Sequence, residues 1–457
     1  MLESRLLETA VPRPVLELCK RLRKNGYGAW VVGGCLRDLL LGRKPEDWDI
    51  ATTALPVQTM RLFSRAVPTG IEHGTITVLW RGKSYEVTTL RGEGGYSDNR
   101  HPDNVFFVSE IEQDLARRDF TINAIAFDPL DKRLTDPFGG MSDLNHRILR
   151  TVGEPIKRFS EDGIRVLRAA RFCATHELQI QSETLDAISD SLDSFRRVSH
   201  ERVRDEWLKA MSAAIPSIAF ELMRVTGILA ITCPPLLDEV GCAQNRCHAF
   251  DVWQHTMRCL DTAIPDPILR VAALLHDIGK PKTRLVSEKT ADYTFYGHEI
   301  VGAEMADEWL RDYRFSNRDR KRIVDLIRYH LVCYGEDWTD SAIRRFIRRV
   351  GEENCEDLLA LARADVLAKG RPVEDELLML QRLRGRIREV VHAGTALRIN
   401  QLAINGHDVM KHLNVQPGPM IGKVLARLLE RVIEDPNLNQ RERLFELIDR
   451  LFDQGEF

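Results

Sequence analysis

Short apolar runs rich in β-branched residues, separated by Gly, Pro and Asp, dominate the chain up to about residue 150. Such runs are typical of β-strands. They predict strands over residues 29–32, 75–80, 84–90, 104–108 and 122–127. Cys35–Leu41 has the spacing of a helix that ends at Gly42. Beyond residue 150, apolar residues recur at i, i+3, i+4 and i+7, as in Ile164–Phe172 and Val203–Met211, which predicts helices.

We therefore expect an α+β head followed by an all-α body. Cys233-Pro234-Pro235 interrupts the helical pattern, and a second interruption lies near His392–Thr395. These breaks predict four domains: a head (1–150), a helical neck (151–235), a His-rich domain (236–395) and a helical tail (396–457). A length of 457 residues, at about 150 residues per domain, is compatible with several domains.

Composition excludes several classes of protein. The chain is 44% hydrophobic, which is enough for several buried cores. No apolar run approaches the roughly 18 residues that span a bilayer, and the N-terminal segment lacks the apolar stretch of a signal peptide. Nine Cys lie scattered without metal-ligand spacing, as in proteins with reduced thiols. We expect a cytoplasmic protein that does not contact a membrane.

The net charge of −3 argues against wholesale binding of a polyanion, so any RNA contact would come from local clusters of Arg. Each such cluster has a solvated helix face as its simpler interpretation. The clusters are Arg165, Arg168 and Arg171; Arg196, Arg197, Arg202 and Arg204; and Arg344, Arg345, Arg348 and Arg349.

Candidate chemistry begins where the first strand meets a helix. Gly33 and Gly34 would let the backbone approach an anion at the helix N-terminus, although a structural turn explains them equally well. Asp47 and Asp49 are spaced i, i+2, which on a strand projects both carboxylates from one face. A polar, solvated edge would tolerate their repulsion at modest cost; in the functional interpretation, divalent cations lie between them. Glu86 could lie beside this pair or be an exposed strand residue.

Two further segments carry charged residues near apolar runs. Arg118 and Asn123 could contact phosphate and ribose, or could cap a helix. Glu161 and Arg165 are spaced i, i+4 and could form only a surface ion pair, worth about 0.3–0.5 kcal/mol.

Five motifs follow one another in order between residues 33 and 172. They are Gly33-Gly34-x-x-Arg37-Asp38, Asp47-x-Asp49, Arg118-Asp119-Phe120-Thr121-x-Asn123-Ala124, Asp136-Pro137-Phe138-Gly139-Gly140 and Glu161-Asp162-x-x-Arg165-x-x-Arg168-Ala169-x-Arg171-Phe172. Their order resembles that of the bacterial-type tRNA nucleotidyltransferase and poly(A) polymerase family. The resemblance implies an α+β nucleotidyltransferase head that adds nucleotides to an RNA 3′ end without a nucleic-acid template.

The resemblance also implies a role for each motif residue. Asp47 and Asp49 would be catalytic and would hold two Mg²⁺, with Glu86 as a further candidate ligand. Asp162 and Arg165 would hydrogen-bond the Watson–Crick edge of the incoming base, supported by Glu161. The remaining nucleotide-binding residues would be Gly33, Gly34 and Arg37 at the triphosphate, Arg118, Asp119 and Asn123 near the ribose and phosphates, and Arg168.

Residues 91–102 are Gly-rich and charged, which predicts a mobile loop. Family members that add only the two C residues look as if they have lost this loop. Its presence therefore argues against a CC-adding enzyme and leaves CCA-adding and A-adding enzymes open.

A second group of candidate ligands lies in the His-rich domain. His248 and His255 are seven residues apart on one side of a helix, and His276-Asp277 ends an apolar helix. A lone His on an apolar helix is more often a packed core residue. Here, however, His298, His330 and Asp365 follow in an order that resembles the HD phosphohydrolase superfamily, an all-helical metal-dependent fold.

This second resemblance implies a first metal site and a second one next to it. His276, Asp277 and two further ligands, His255 and Asp365, would form the first site, and His298 and His330 would complete the second. Imidazole and carboxylate ligands suit a divalent transition metal such as Mn²⁺, Ni²⁺ or Co²⁺. Hydrolysis of phosphomonoesters or cyclic phosphodiesters would follow. His248 stays unassigned.

The tail, Leu402–Asp408 with Pro417-Gly418-Pro419, is similar to the C-terminal segment of HD-containing members of the nucleotidyltransferase family, which implies a helical module that contacts the tRNA elbow. The leading hypothesis is an enzyme that adds or repairs the 3′-terminal CCA of tRNA from CTP and ATP, with no obligate protein partner. The alternatives are an A-adding enzyme, a poly(A) polymerase or, in a different class, a protein that is primarily an HD phosphohydrolase. A passive RNA-binding module fits poorly with two metal-ligand constellations.

Overall fold

The computed structural model describes residues 7–94, 104–394 and 396–454. The chain divides into two compact units, Met1–Leu237 and Asp238–Phe457. The finer division into four domains stays a prediction. All nine Cys are free thiols, and seven of them are buried. Among the described residues, no helix is both long enough and apolar enough to cross a bilayer.

The first unit combines a mixed β-sheet with helices. Its strands are β1 (Ala29–Val32), β2 (Asp49–Thr52), β3 (Ala66–Gly70), β4 (Thr75–Trp80), β5 (Lys83–Thr89), β6 (Arg91–Gly94), β7 (Asn104–Phe107), β8 (Ala126–Asp128), β9 (Arg133–Thr135), β10 (Ile148–Leu149) and β11 (Gln179–Ile180). Its helices are α1 (Arg13–Lys24), α2 (Gly34–Leu40), α3 (Pro56–Leu62), α4 (Ile111–Ala116), α5 (Gly140–Asn145), α6 (Pro155–Glu161), α7 (Ile164–His176), α8 (Ser182–Asp190), α9 (Leu192–Phe195), α10 (His200–Ala210), α11 (Ser217–Val225) and α12 (Ile228–Thr232).

The main sheet has seven strands in the order β3-β4-β5-β2-β1-β8-β9. β2 lies between β1, to which it is antiparallel, and β5, to which it is parallel. The register pairs Val32 of β1 with Asp49 and pairs Asp49 with Glu86 of β5. Because the apolar residues of β1 and β2 are buried, this register is fixed by the core. It brings the end of β1, the start of β2 and Glu86 together.

Most of the predicted strands are confirmed, within one residue at either end. The predicted strand 122–127 is wrong in its first half, where the chain forms a 3₁₀ turn over Thr121–Asn123. The Asp119 carboxylate accepts hydrogen bonds from the Phe120 amide at 2.8 Å and from Asn123 Nδ2 at 3.0 Å, which bends the backbone there. The polar side chains thus override the β-propensity of the apolar run.

The loop predicted over 91–102 is wrong for its first four residues, which form β6 and pair antiparallel with β7. Main-chain hydrogen bonds need no side chain, and Gly92 leaves room for an aromatic neighbour. A Cβ atom on Gly92 would lie 2.5 Å from Cε2 of Phe106. Residues 95–102 of the predicted loop lie outside the described residues.

The second unit is helical apart from one small hairpin, β12 (Leu285–Val286) and β13 (Tyr293–Thr294). The tail helices share a core that includes Val409, Leu428 and Ile448. The helices of this unit are α13 (Val252–Thr262), α14 (Pro267–Leu275), α15 (Lys280–Thr283), α16 (His298–Asp312), α17 (Asn317–Tyr329), α18 (Asp340–Val350), α19 (Cys355–Ala368), α20 (Glu374–His392), α21 (Gly406–Leu413), α22 (Pro419–Glu434) and α23 (Arg441–Asp453).

Arg344 of α18 is a structural residue, which corrects its assignment to a possible RNA-binding cluster. Its side chain is buried and donates from Nε to the Ile433 carbonyl at 2.5 Å and from Nη2 to the Glu434 carbonyl at 3.0 Å. These carbonyls end α22, where a positive charge is favourable. Arg344 therefore ties α18 to the C-terminal end of α22.

We expect Arg344→Met to lower the free energy of unfolding by about 2 kcal/mol, because it removes a charged donor from two carbonyls that are then left without it. Urea unfolding followed by circular dichroism measures this change. Arg348→Met is the matched control, since Arg348 is exposed on the same helix. Equal stability of the two variants would contradict the capping role.

Candidate functional site

A cavity of about 620 Å³ lies in the first unit, lined by the edge of the sheet and by α7 and α10. It collects most of the residues predicted for the nucleotide site. Asp47 and Glu86 are exposed and lie outside the lining. The predicted residues that line the cavity are Gly33, Gly34, Arg37, Asp49, Arg118, Asp119, Asn123, Asp162, Arg165 and Arg168.

The turn from β1 into α2 forms part of the cavity wall. Gly33 has a φ of 79°, and a Cβ atom there would lie 3.0 Å from Arg118 Nη1 and 3.5 Å from Asp49 Oδ2. Glycine therefore lets both charged groups approach the backbone. Arg37 donates from Nη1 to Asn123 Oδ1 at 2.9 Å. Backbone that lines the cavity thus lies beside guanidinium groups, a combination suited to binding phosphates.

Carboxylates gather at the start of β2. Asp49 is the register partner of Glu86, and Asp47 lies two residues before it. Burial is the largest cause that raises the pKa of Asp49 to about 6; Glu86 and Asp47 also raise it, while Arg118 lowers it. A divalent cation would relieve this repulsion, and carboxylate oxygens are the ligands that Mg²⁺ prefers. The residues present therefore fit the predicted cation.

Asp119 is the centre of a network that fixes the cavity wall. Its Oδ2 accepts from Arg168 Nε at 2.8 Å and from Nη2 at 2.5 Å, while its Oδ1 accepts from Asn123. Although burial raises the pKa of Asp119, the charge of Arg168 and the hydrogen bond from Asn123 hold it well below its usual value. Asp119 thus stays ionised and links Arg168, Asn123 and, through Asn123, Arg37.

The two residues predicted to recognise the base each have a different partner. Arg165 Nη1 donates to Glu161 Oε2 at 2.6 Å and to the Arg158 carbonyl at 2.9 Å. This ion pair is mostly buried. The alternative drawn from the i, i+4 spacing, a surface ion pair between Glu161 and Arg165, is therefore wrong. Asp162 instead accepts two hydrogen bonds from Arg202, at 3.0 and 2.7 Å. Asp162 and Arg165 therefore line one cavity as separately held acceptor and donor.

Arg168 and Arg171 line the cavity. The sequence pattern instead predicts that they belong to an exposed stripe of arginines that could bind RNA. Arg171 Nε donates to Glu206 Oε2 at 2.5 Å. The guanidinium carbons of Arg37, Arg168 and Arg171 lie 5.2, 5.2 and 3.9 Å from the ring centre of Phe172. Cation–π attraction over this ring holds three charges close together.

Sequence reasoning missed the part of the site that comes from α10. Arg202, Asp205, Glu206 and Lys209 line the cavity, although they lie some forty residues beyond Asp162. No spacing rule links residues this far apart, and only the packing of α10 on α7 brings them together. From the sequence, Arg202 is predicted only as a member of a cluster that could contact phosphates.

The second unit brings the six predicted HD residues to one place. His255 Nε2 lies 3.0 Å from Asp365 Oδ1, and His276 Nε2 lies 3.2 Å from Asp277 Oδ2. On the other oxygen of Asp277, Oδ1, lie His298 Nε2 at 3.4 Å and His330 Nε2 at 3.8 Å. Asp277 is thus shared by two triads with metal-ligand geometry, one with His255 and His276 and one with His298 and His330.

Three of these imidazoles are oriented in the same way. The Nδ1 atoms of His276, His298 and His330 each lie 2.7 Å from the carbonyl of the residue three positions earlier. Nδ1 therefore donates, and Nε2 of each ring points towards Asp277, which leaves Nε2 as the atom that would bind a metal, as in metal-bound histidines. This donor set fits a divalent transition metal.

Other charged groups around this cluster were not foreseen. Lys280 Nζ lies 2.6 Å from Asp277 Oδ2 and donates to Gln244 Oε1 at 2.7 Å. Burial and the charge of Asp277 raise the pKa of Glu239 to about 8. A cavity of about 350 Å³ adjoins the cluster and is lined by Lys280 and His248. The prediction that His248 shares a helix with His255 is wrong, because α13 begins only at Val252.

We expect Asp49→Asn to stabilise the protein in the absence of divalent metal. Because the pKa of Asp49 is about 6 in the folded protein and 3.8 ordinarily, folding retains a proton that the unfolded chain releases. Stability is therefore lost as the pH rises from about 4 to about 6, by about 3 kcal/mol in total, and asparagine avoids this loss. Urea unfolding at pH 4.5 and pH 7.5 measures the difference.

The gain from Asp49→Asn should be larger at pH 7.5 than at pH 4.5. Asp47→Asn serves as the control and should give a smaller gain, since Asp47 is exposed. If Asp49→Asn is no more stable than the unchanged protein at pH 7.5, the surroundings do not destabilise the ionised carboxylate of Asp49.

Three family models match parts of the chain. Residues 29–150 match the poly A polymerase head domain. Residues 177–239 match a model described as the probable RNA and SrmB-binding site of polymerase A. Residues 293–448 match a model described as a putative domain 2 of tRNA nucleotidyltransferase. The matches thus fall in both units.

Relatives match almost the whole chain. A CCA-adding enzyme of Geobacillus sp. (strain WCH70) is 33% identical over 443 residues, which cover 96% of this chain and 98% of that protein. A CCA-adding enzyme of Lactobacillus helveticus is 31% identical over 442 residues, 96% of each chain. The crystal structure of the Bacillus stearothermophilus CCA-adding enzyme in complex with CTP superposes with a TM-score of 0.71 at 28% identity, covering 97% of this chain and 98% of that one. The chain therefore belongs to the CCA-adding enzyme family of tRNA nucleotidyltransferases.

Proposed function

We propose that this nucleotidyltransferase adds or repairs the 3′-terminal CCA of tRNA, using CTP and ATP. The observation that carries the proposal is that one cavity is lined by Asp49, whose pKa is raised, and by Asp162 and Arg165. Asp162 supplies a hydrogen-bond acceptor for a base, and Arg165 supplies a donor. Full-length similarity to CCA-adding enzymes supports it. An A-adding enzyme and a poly(A) polymerase remain the alternatives that product analysis distinguishes.

Nucleotidyltransferases of this family use a divalent metal. At the head site we propose Mg²⁺, held by Asp49 and Asp47, with Glu86 beside them. When bound, Mg²⁺ offsets the negative charge of the triphosphate and makes the RNA 3′-hydroxyl more acidic. The side chains bind and orient the reactants around it.

Different residues of the cavity bind different parts of the nucleotide. The backbone at Gly33 and the guanidinium groups of Arg37 and Arg118 bind the triphosphate, and Asn123 and Arg168, fixed by Asp119, contact the ribose. The 3′-hydroxyl oxygen of the RNA forms a bond to the α-phosphorus. The bond from that phosphorus to the bridging oxygen breaks, pyrophosphate leaves, and the hydroxyl proton is released.

Base selection follows from hydrogen-bond chemistry. An ionised carboxylate only accepts, and a guanidinium only donates. Cytosine and adenine carry amino donors at N4 and N6, whereas guanine and uracil carry carbonyl oxygens at the corresponding positions. Asp162 therefore favours C and A, and Arg165 supplies donors to the ring acceptors of either base.

We expect Asp47→Ala combined with Asp49→Ala to reduce nucleotide incorporation at least about a thousand-fold, since several kcal/mol of charge stabilisation are lost. The assay uses three tRNAs, ending at the discriminator base, at C and at CC, with labelled CTP or ATP. His276→Ala combined with Asp277→Ala is the control and should leave incorporation unchanged.

The products test the choice between related activities. Incorporation of both C and A supports CCA addition. Addition of A alone to the CC-ending tRNA would instead identify an A-adding enzyme, and long A tails a poly(A) polymerase. Undiminished extension of tRNA by the Asp47/Asp49 double variant would overturn the assignment of the head site.

We propose a second activity, hydrolysis of phosphate esters, at the HD cluster. The observation that favours it is the common orientation of three imidazoles towards Asp277, with Asp365 and His255 adjacent. A divalent transition metal bound there supplies an acidic water and neutralises the phosphate. The nearby cation of Lys280 is placed to bind a phosphate oxygen.

Hydrolysis of p-nitrophenyl phosphate, bis-p-nitrophenyl phosphate and 2′,3′-cyclic AMP with Mn²⁺, Ni²⁺ or Co²⁺ tests this activity. We expect metal-dependent turnover that His276→Ala with Asp277→Ala abolishes and that Asp47→Ala with Asp49→Ala retains. Turnover that survives the loss of His276 and Asp277, or that needs no metal, would contradict the proposal.

We further propose that the four predicted domains correspond to catalysis (1–150), base selection (151–235), ester hydrolysis (236–395) and tRNA binding (396–457).

The nine free thiols support the proposal that the protein works in the cytoplasm.

A further inference from the structure

Asp162 lies at the break between α6 and α7, where the backbone is extended (φ −146°, ψ 107°). Both of its oxygens accept from one guanidinium: Oδ1 from Arg202 Nη1 at 3.0 Å and Oδ2 from Nη2 at 2.7 Å. Both side chains are largely shielded from solvent, with 18% of Asp162 and 27% of Arg202 exposed. This two-pronged geometry fixes the plane of the carboxylate as well as its position.

The segment that runs from the end of α9 to the start of α10 also contacts the backbone beside Asp162. A Cβ atom on Gly163 would lie 2.4 Å from the Ser194 carbonyl oxygen and 2.9 Å from the Phe195 Cα. The end of α9 is therefore in close contact with the break between α6 and α7. Since Arg202 lies in the first turn of α10, shortly after this contact, residues 194–202 hold Asp162 by both backbone and side chain.

Arg202 also sets which hydrogen bonds Asp162 can make. Because both of its oxygens are bonded to Arg202, the carboxylate of Asp162 offers a base only acceptor lone pairs in a fixed plane, and an acceptor cannot hydrogen-bond the O4 of uracil or the O6 of guanine. Arg165 does not share this carboxylate, because its own guanidinium is bonded to Glu161. Arg202 is thus the cation paired with the base-selecting acid.

We propose that Arg202 is a positioning residue for nucleotide selection: it fixes the position and the plane of the Asp162 carboxylate and so disfavours U and G. This inference rests on the proposed CCA-adding function. It differs from a phosphate contact by Arg202, which would affect the affinity for tRNA but not the choice among nucleotides.

The test compares Arg202→Ala, Arg202→Lys and the control Arg224→Ala, whose side chain pairs with Glu221 on α11 outside the cavity. The measurements are kcat and KM for CTP and UTP on tRNA ending at the discriminator base, and for ATP and GTP on tRNA ending at CC. We expect Arg202→Ala to lower the CTP:UTP and ATP:GTP ratios of kcat/KM about ten-fold or more, as for loss of one good base contact.

Arg202→Lys should restore part of the selectivity, because it keeps the charge without the two-pronged geometry. Arg224→Ala should leave both ratios unchanged. In an Asp162→Ala background, Arg202→Ala should cause no further loss of selectivity, since the group that it positions is already absent. This non-additivity separates positioning from a general effect on stability.

Selectivity that Arg202→Ala and Arg202→Lys both leave unchanged would overturn the inference, most directly if KM for tRNA rises and becomes more sensitive to salt. Equal further loss in the Asp162→Ala background would overturn it as well. Failure of the unchanged protein to add C or A to any of the tRNAs would overturn the proposed function itself, and this is seen before any variant is compared.

Discussion

The first unit is organised around a half-buried carboxylate, Asp49, whose acidic neighbour is set by the sheet register. Pairing of β2 with β5 sets Asp49 beside Glu86, and burial and repulsion raise the pKa of Asp49 to about 6. The strands that carry these acids are held in register by the buried apolar residues next to them. The charge of Arg118 lowers the pKa of Asp49 but does not bring it back to its ordinary value. A cation held there, as we propose, would offset this electrostatic cost.

The features that could be predicted from the sequence are those that depend on residues close together in the chain. The strand that contains Val31 and Val32, the turn at Gly33 and the acids that follow could be predicted because each depends on neighbouring residues. The polar side chains of Asp119 and Asn123 were recognised as candidates, but the turn that they enforce was not. There, side-chain hydrogen bonds to the backbone outweigh the strand propensity of the apolar run.

Partners of charged residues were the least predictable feature. Arg344 and Arg171 belong to sequence clusters that suggest an exposed basic surface, yet one caps a helix and the other pairs with Glu206. Arg202 pairs with Asp162 across forty residues. Such pairs depend on how helices pack, and residue spacing carries no information about that. The six residues of the HD cluster were identified only because their order resembles that of a known superfamily.

The contact at Gly163 restricts how this site can vary. Because any side chain there would collide with the main chain of Ser194, the break between the two helices cannot shift without moving the neighbouring segment. Substitution of the side chains around Asp162 can therefore alter the cavity while this close backbone contact stays in place. The absence of a Cβ atom at Gly163 thus determines how closely the backbone of this break approaches Ser194.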